Sequence, residues 1–218
     1  MPKITPYLGW TRHRFADDIK ANGWGLVWVS GQTSYWPEPT DKWFYDNGAF
    51  RDWRHGLPFN RVRFLLDQAL LPANCSFGLL PDRVGEGEKS LTMSMEYLPH
   101  VRTDWPWLLP LQDEMTVPMV ESVIHEVDGL FLGGTNGFKA EAGAFSELAA
   151  KHDKHFHYGR CGTLKKLRAA RHLTEPPYRC DSLDTSLPLW SEERWDKWME
   201  WHLTPDPQTD WIAQSAKD

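Results

Sequence analysis

Only three cysteines occur in the chain, at positions 75, 161 and 180. The number is odd and no two fall at CxxC spacing, which removes both a disulfide framework and a cysteine-rich zinc site. No apolar run approaches the ~20 residues that span a bilayer, and the start, Met1-Pro-Lys-Ile-Thr-Pro6, lacks the apolar segment of a signal peptide. These absences predict a soluble protein of a reducing cytoplasm, with no membrane partner. Positive charge is short as well: 24 Lys and Arg stand against 30 Asp and Glu, for a net charge of −6. That is the wrong sign for a protein that coats nucleic acid nonspecifically, so any phosphate binding has to come from local clusters.

What the chain does have is alternation. Short apolar runs are followed by segments of helical period, and the runs tend to end in polar or glycine residues. After a short helix over 12–21, Gly25 to Ser30 reads as a buried strand, followed by a loop rich in Pro and Trp. Trp43-Phe-Tyr45 runs into Asp46-Asn-Gly48, with a helix over Phe59 to Leu71. Phe77 to Leu80 runs into Pro81-Asp82, with a helix from Ser90 to Leu98. Trp107 to Leu111 runs into Gln112-Asp113, with Val117 to Val127 helical. Gly129 to Leu132 runs into Gly133-Gly134-Thr135, with a helix from Ala142 to His152.

The stretch His155 to His172 reads as strand, glycine turn and basic helix, capped by Thr163 and carrying Leu164, Leu167 and Ala170 on one face. The strand after it is predicted to end in Asp181 and Asp184, and Ser191 to His202 is a tryptophan-rich final helix. Seven or eight such units predict a small TIM-type (β/α)8 barrel, an α/β fold, over residues 1–203, with a polar tail over 204–218. The 218 residues are near the lower end for that fold, leaving room for one reduced or missing strand or helix. Most of the thirteen tryptophans, including Trp36, Trp53, Trp105 and Trp211 in open polar sequence, are expected to pack helices against the barrel.

In such a barrel the strand ends deliver Asp46 and Asn47, Asp82, Gln112 and Asp113, Gly133 and Gly134, Arg160, and Asp181 with Asp184 to one mouth. Any one of the aspartates is also a good helix N-cap, so the argument rests on the set. One carboxylate can attack a sugar carbon while a second moves the proton of a departing or arriving base, which is the pair of roles glycosyl transfer needs. Paired glycines let a flat ring approach the backbone, and Gln112 adds a donor and an acceptor. Lys165, Lys166, Arg168 and Arg171 form a basic cluster that, with Arg160 and the helix start, could hold phosphate. A solvated helix face accounts for the cluster equally well. His155 and His157 share a strand face, but no third ligand is fixed by spacing, so they are read as core or rim histidines and no metal is expected.

Six segments in order resemble the tRNA-guanine transglycosylase superfamily, and more closely its phage and bacterial DNA-acting, deazapurine-inserting (DpdA-like) branch. They are Tyr45-Asp-Asn-Gly-Ala-Phe50, Leu80-Pro-Asp82, Leu111-Gln-Asp113, Phe131-Leu-Gly-Gly-Thr135 through Lys139, His157-Tyr-Gly-Arg160 with Leu164-Lys-Lys-Leu-Arg168, and Cys180-Asp-Ser-Leu-Asp184. The resemblance implies a TIM barrel that needs no cofactor and acts on a flipped-out nucleotide. It implies Asp184 as the nucleophile at C1′ and Asp82 as the general acid/base. Asp113 and Gln112, with Gly133 and Gly134, would hold the guanine or a free 7-deazaguanine such as preQ0, with Asp46 and Asn47 at the same base site.

The zinc cluster of the tRNA enzymes has no counterpart, no appended RNA-binding domain is expected, and Thr135-Asn-Gly-Phe-Lys139 stands in place of their glutamate-bearing loop, all of which favours DNA over tRNA as partner. An N-glycosidase using water, and a catalytically inert nucleic-acid-binding barrel, are the alternatives.

Overall fold

Strand β1 (Thr5–Gly9) lies between β2 (Gly25–Val29) and β8 (Ser182–Thr185), and this pairing closes the sheet on itself. Between β2 and β8 run β3 (Trp43–Asp46), β4 (Gly78–Leu79), β5 (Trp107–Leu111), β6 (Gly129–Leu132) and β7 (His155–Tyr158), all parallel and in chain order. The result is a closed (β/α)8 barrel, seen in a computed structural model that describes residues 4–9, 15–33, 37–38 and 41–203. Helices α1 (Ala16–Ala21), α2 (Ala49–Arg54), α3 (Arg61–Leu70), α4 (Gly87–Tyr97), α5 (Val117–Glu121), α6 (Ala142–Lys151), α7 (Leu164–His172) and α8 (Glu192–Leu203) surround it.

Alternation along each strand divides the apolar residues into two sets. Tyr7, Val27, Phe44, Phe77, Leu79 and Leu108 fill the barrel interior, with Phe131 against them. The opposite faces meet the helices in a larger core holding Trp24, Trp28, Trp43, Trp105, Trp107, Trp195 and Trp198. Tryptophan is therefore mostly interlayer packing, as expected, and α8 is seated through Trp195, which stacks on Phe15 with ring centroids 4.4 Å apart. Trp53 and Trp190 depart from that pattern at 57% and 69% exposed, and Trp36 and Trp211 lie outside the described residues. Interior rings of this size need space: a Cβ on Gly25 would stand 2.3 Å from the Tyr7 ring.

The reduced unit is found in two places. Strand β4 has two residues, and among the described residues no helix connects β2 to β3. There the end of β2 is tied instead to α3, because the Asp67 carboxylate accepts from Ser30 Oγ at 2.6 Å and from the Gly31 N–H at 3.0 Å. Strand β1 was not evident in the sequence, and an extra helix, α2, precedes the expected α3. The expected helix over 12–21 is seen from Ala16, its first residues lying outside the described set, as does the tail from Thr204.

One placement is corrected. Asp181 precedes β8 and so sits at the opposite rim from Asp184. There its carboxylate accepts from the Phe156 N–H at 2.8 Å and from Arg179 Nε at 2.9 and 3.0 Å. That rim, with Asp128 accepting from the Trp107 N–H at 2.8 Å, holds strand starts in place.

Candidate active site at the barrel mouth

At the end of β4, Asp82 is 8% exposed and held from both sides by amides. Asn47 Nδ2 donates to one oxygen at 2.7 Å and Gln112 Nε2 to the other at 2.6 Å. Neither amide can turn away freely. Asn47 also donates to the Leu80 carbonyl at 2.6 Å and accepts from the Ala49 N–H at 2.7 Å, while Gln112 Oε1 accepts from the Gly85 N–H at 3.2 Å. Burial pushes the Asp82 carboxyl up to about 6, and the charge of nearby Asp46 adds to this against the opposing pull of the two amides. Asp46, at the end of β3, is likewise raised to about 6, first by burial and then by the charge of Asp184, with the Gly48 N–H donating at 2.8 Å in opposition. Carboxyls poised near neutrality can carry a proton in one step and release it in the next.

Asp184, on β8, is organised differently. Its Oδ1 takes both of the hydrogen bonds made to its carboxylate, from His157 Nε2 and from the Arg160 N–H, each at 3.0 Å. Among the described residues none donates to Oδ2, and the side chain is 16% exposed. Arg160 adopts φ 53°, a left-handed conformation that a side-chain-bearing residue holds at a cost of about 1–3 kcal/mol. That turn aims its N–H at Asp184 and lets the Cys161 N–H reach the Asp184 carbonyl at 2.6 Å. The guanidinium donates to the carbonyl of Gly134 and lies 4.8 Å over the Phe50 ring.

The end of β6 supplies the next wall. Gly134 has φ 64°, and a Cβ there would meet the Phe138 ring at 2.5 Å, so the close turn requires glycine. Gly133 lies against Leu111 and Gln112. Asp113 spends both oxygens on Thr135, accepting from its N–H at 2.9 Å and from its hydroxyl, and thereby shapes this loop. Behind it, buried Lys139 donates to the carbonyls of Leu132 at 2.8 Å and Gly159 at 2.5 Å and is pushed down to about 7 by desolvation.

Outside the mouth, Phe50 and Trp53 of α2 stack with centroids 5.7 Å apart and are 39% and 57% exposed. Of the basic cluster, Lys165 is exposed in the first turn of α7, where Thr163 accepts from the Lys166 N–H at 3.3 Å, and Lys166 Nζ donates to the Arg160 carbonyl at 3.3 Å. Arg168 is half-buried one turn further along. Arg171 is employed elsewhere: its guanidinium donates to the carbonyls of Trp201 and His202, both at 2.7 Å, and closes the end of α8.

Strand ends thus bring together Asp46, Asn47, Asp82, Gln112, Asp113, Gly133, Gly134, Arg160 and Asp184. Asn47 and Gln112, expected at a base, have their amides on Asp82, and Asp113 is turned to its own loop. Sequence reasoning left out two residues, His157 and Lys139. The alternation of His155 and His157 was visible, but the partner of His157 lies on the neighbouring strand, 27 positions away. Among the described residues no three His, Cys, Asp or Glu side chains cluster as a metal site, and no helix is long and apolar enough to cross a membrane. Comparison with known proteins finds no matching family model, no matching curated protein and no matching solved structure.

Proposed function

We propose that the protein is a base-exchanging N-glycosyltransferase that replaces guanine in DNA with a 7-deazaguanine through a covalent intermediate on Asp184. The observation that carries this reading is the division of labour between two carboxyls at one mouth. Asp184 offers an open Oδ2 while Oδ1 is held, and Asp82 is buried, raised to about 6 and clamped by two amides.

A nucleotide turned out of the helix enters the mouth. Asp184 Oδ2 forms a bond to C1′ as the bond from C1′ to N9 breaks, its electron pair leaving with guanine, and Asp82 gives guanine a proton. The 7-deazaguanine then yields its N9 proton to Asp82, N9 bonds to C1′, and the carboxylate of Asp184 departs unchanged. The Gly133–Gly134 turn is the flat wall against which the base would lie. Arg160, Lys165, Lys166 and Arg168 supply positive charge beside the mouth for phosphate, and the Phe50–Trp53 pair offers a stacking surface to a neighbouring unpaired base.

The test is incubation of the protein with DNA and radiolabelled guanine or 7-deazaguanine, with denaturing gels to trap DNA on the protein. Label entering DNA and an adduct with wild type but not with Asp184→Asn are expected. Loss of base without uptake would make the enzyme an N-glycosidase, and neither uptake, loss nor adduct would overturn the reading.

A further inference from the structure

The barrel interior below Asp184 is not filled in the ordinary way. Layers of branched apolar side chains suffice for a barrel core, yet two imidazoles and a hydroxyl stand here in a row. His155 and His157 are inward on β7 and Ser182 and Asp184 inward on β8, and His157 pairs with Ser182 in the register of the two strands. His155 Nε2 lies 2.7 Å from Ser182 Oγ, Ser182 Oγ lies 2.7 Å from His157 Nδ1, and His157 Nε2 lies 3.0 Å from Asp184 Oδ1. His157 is 0% exposed, stacked 4.9 Å from the Phe131 ring with Phe44 and Phe77 edge-on at 5.2 and 5.3 Å.

Proton counting gives the row a direction. A carboxylate oxygen can only accept, so His157 Nε2 carries a hydrogen. A second hydrogen on Nδ1 would make a cation in a cage of aromatic rings, and burial holds His157 below its usual range. Nδ1 therefore accepts the one hydrogen of Ser182, whose oxygen in turn accepts from His155 Nε2. At the far end His155 Nδ1 is 3.9 Å from Asp181, beyond hydrogen-bond reach, and Asp181 is already paired with Arg179. The charged or titratable groups facing His155 are Asp181, His157, Arg179 and Lys42, and desolvation dominates them, keeping the ring neutral with its value pushed down to about 4.

We propose that His157 and Ser182, with His155 behind them, are positioning residues: a one-way hydrogen-bond chain along the barrel interior that fixes His157 as a neutral Nε2–H donor and thereby aims Oδ2 of Asp184 at the mouth. The proposal rests on Asp184 being the nucleophile. A neutral donor orients the carboxylate without lending it a full positive charge, so attacking power is kept while rotation is lost.

Histidine ring nitrogens report this directly. In protein labelled with 15N in its histidine rings, long-range proton–nitrogen spectra between pH 6 and 8 are expected to show both His155 and His157 as Nε2–H tautomers with bare Nδ1. A His157 that is Nδ1–H or doubly protonated overturns the chain, whatever the protein catalyses.

The second arm is the single-turnover rate of DNA trapping on Asp184, with DNA affinity and circular dichroism measured alongside. Ser182→Ala and His157→Leu should trap about 10–100-fold more slowly at unchanged affinity. His157→Gln, whose amide can donate from near the Nε2 position, should recover most of the rate. Folded Ser182→Ala and His157→Leu variants that trap at the wild-type rate would reduce the row to packing and refute the proposal. A wild type with the expected tautomers that traps nothing takes down the reading of Asp184, and the purpose of the chain with it.

Discussion

Asp82 offers a test in which stability and catalysis respond in opposite directions. Its folded-state value is about 6 against an ordinary 3.8, so between those two pH values the folded protein binds a proton that the unfolded chain has released. Unfolding free energy consequently falls as pH rises from about 4 to about 6 and stays lowered above that. The shift of roughly two pH units corresponds to about 3 kcal/mol, an upper figure for one buried group. Asp82→Asn removes the titration but leaves a new conflict, because Asn47 and Gln112 both present amide hydrogens and an asparagine nitrogen cannot accept either. The conflict costs about 1–3 kcal/mol and does not change with pH. The variant should therefore be less stable than wild type at pH 4 and equal to it or more stable at pH 7.5.

Urea denaturation at pH 4, 5, 6 and 7.5 measures this, the quantity of interest being how the difference between variant and wild type changes with pH. A relative gain of 1–3 kcal/mol across that range is expected, with slope m unchanged. Base exchange should fall by about 10²–10⁴-fold, the usual worth of general acid/base assistance. Parallel stability profiles for variant and wild type would refute the argument that burial raises Asp82, and with it the reason for choosing it as the proton carrier.

Trp53→Ala should weaken binding of single-stranded DNA by about 1–3 kcal/mol, the usual worth of one stacked base, in fluorescence anisotropy with a labelled oligonucleotide, while leaving the melting temperature in place because the ring is 57% exposed. Lys139 is pushed down to about 7, so the folded state holds fewer protons than the unfolded chain between there and its ordinary 10.5, and stability from this group rises over that span. Lys139→Met should flatten the rise in a melting-temperature series from pH 7 to 10. Arg171→Ala removes two charge-assisted hydrogen bonds from the end of α8 and should lower stability by about 2–4 kcal/mol, with hydrogen exchange accelerating first in α8. Unchanged exchange there would mean that Trp195 and Trp198 alone seat the helix.

The order of strands and helices was legible because β2 to β6 are short apolar runs closed by polar or glycine residues, and β7 alternates ahead of a glycine turn and a capped helix. Strand β1 was not: Thr5-Pro-Tyr-Leu-Gly9 is short, contains proline and becomes a strand through its two neighbours, β2 and β8. Asp46 and Asp82 could be placed at the mouth since they follow apolar runs, whereas Asp181 was misplaced because Asp181-Ser-Leu-Asp184 does not say that the strand begins only after the first carboxylate and contains the second. What the side chains do to one another was out of reach. Asn47 and Asp82 are 35 positions apart and Gln112 and Asp82 are 30 apart, and their contacts exist only once the barrel closes.

The mouth is also where the chain gives up stability. Asp46 and Asp82 are held where burial opposes their charge, Asp46 stands close enough to Asp184 for the two charges to repel, and Arg160 keeps a left-handed backbone that glycine would adopt with less strain. None of these is needed to close the sheet, since the opposite rim manages with Arg179 paired to Asp181 and Asp153. For Asp82 the release is the rise in relative stability toward neutral pH worked out above for Asp82→Asn. The features gathered around the Asp184 carboxylate are ones that the proposed exchange would use and that packing alone gives no reason to keep.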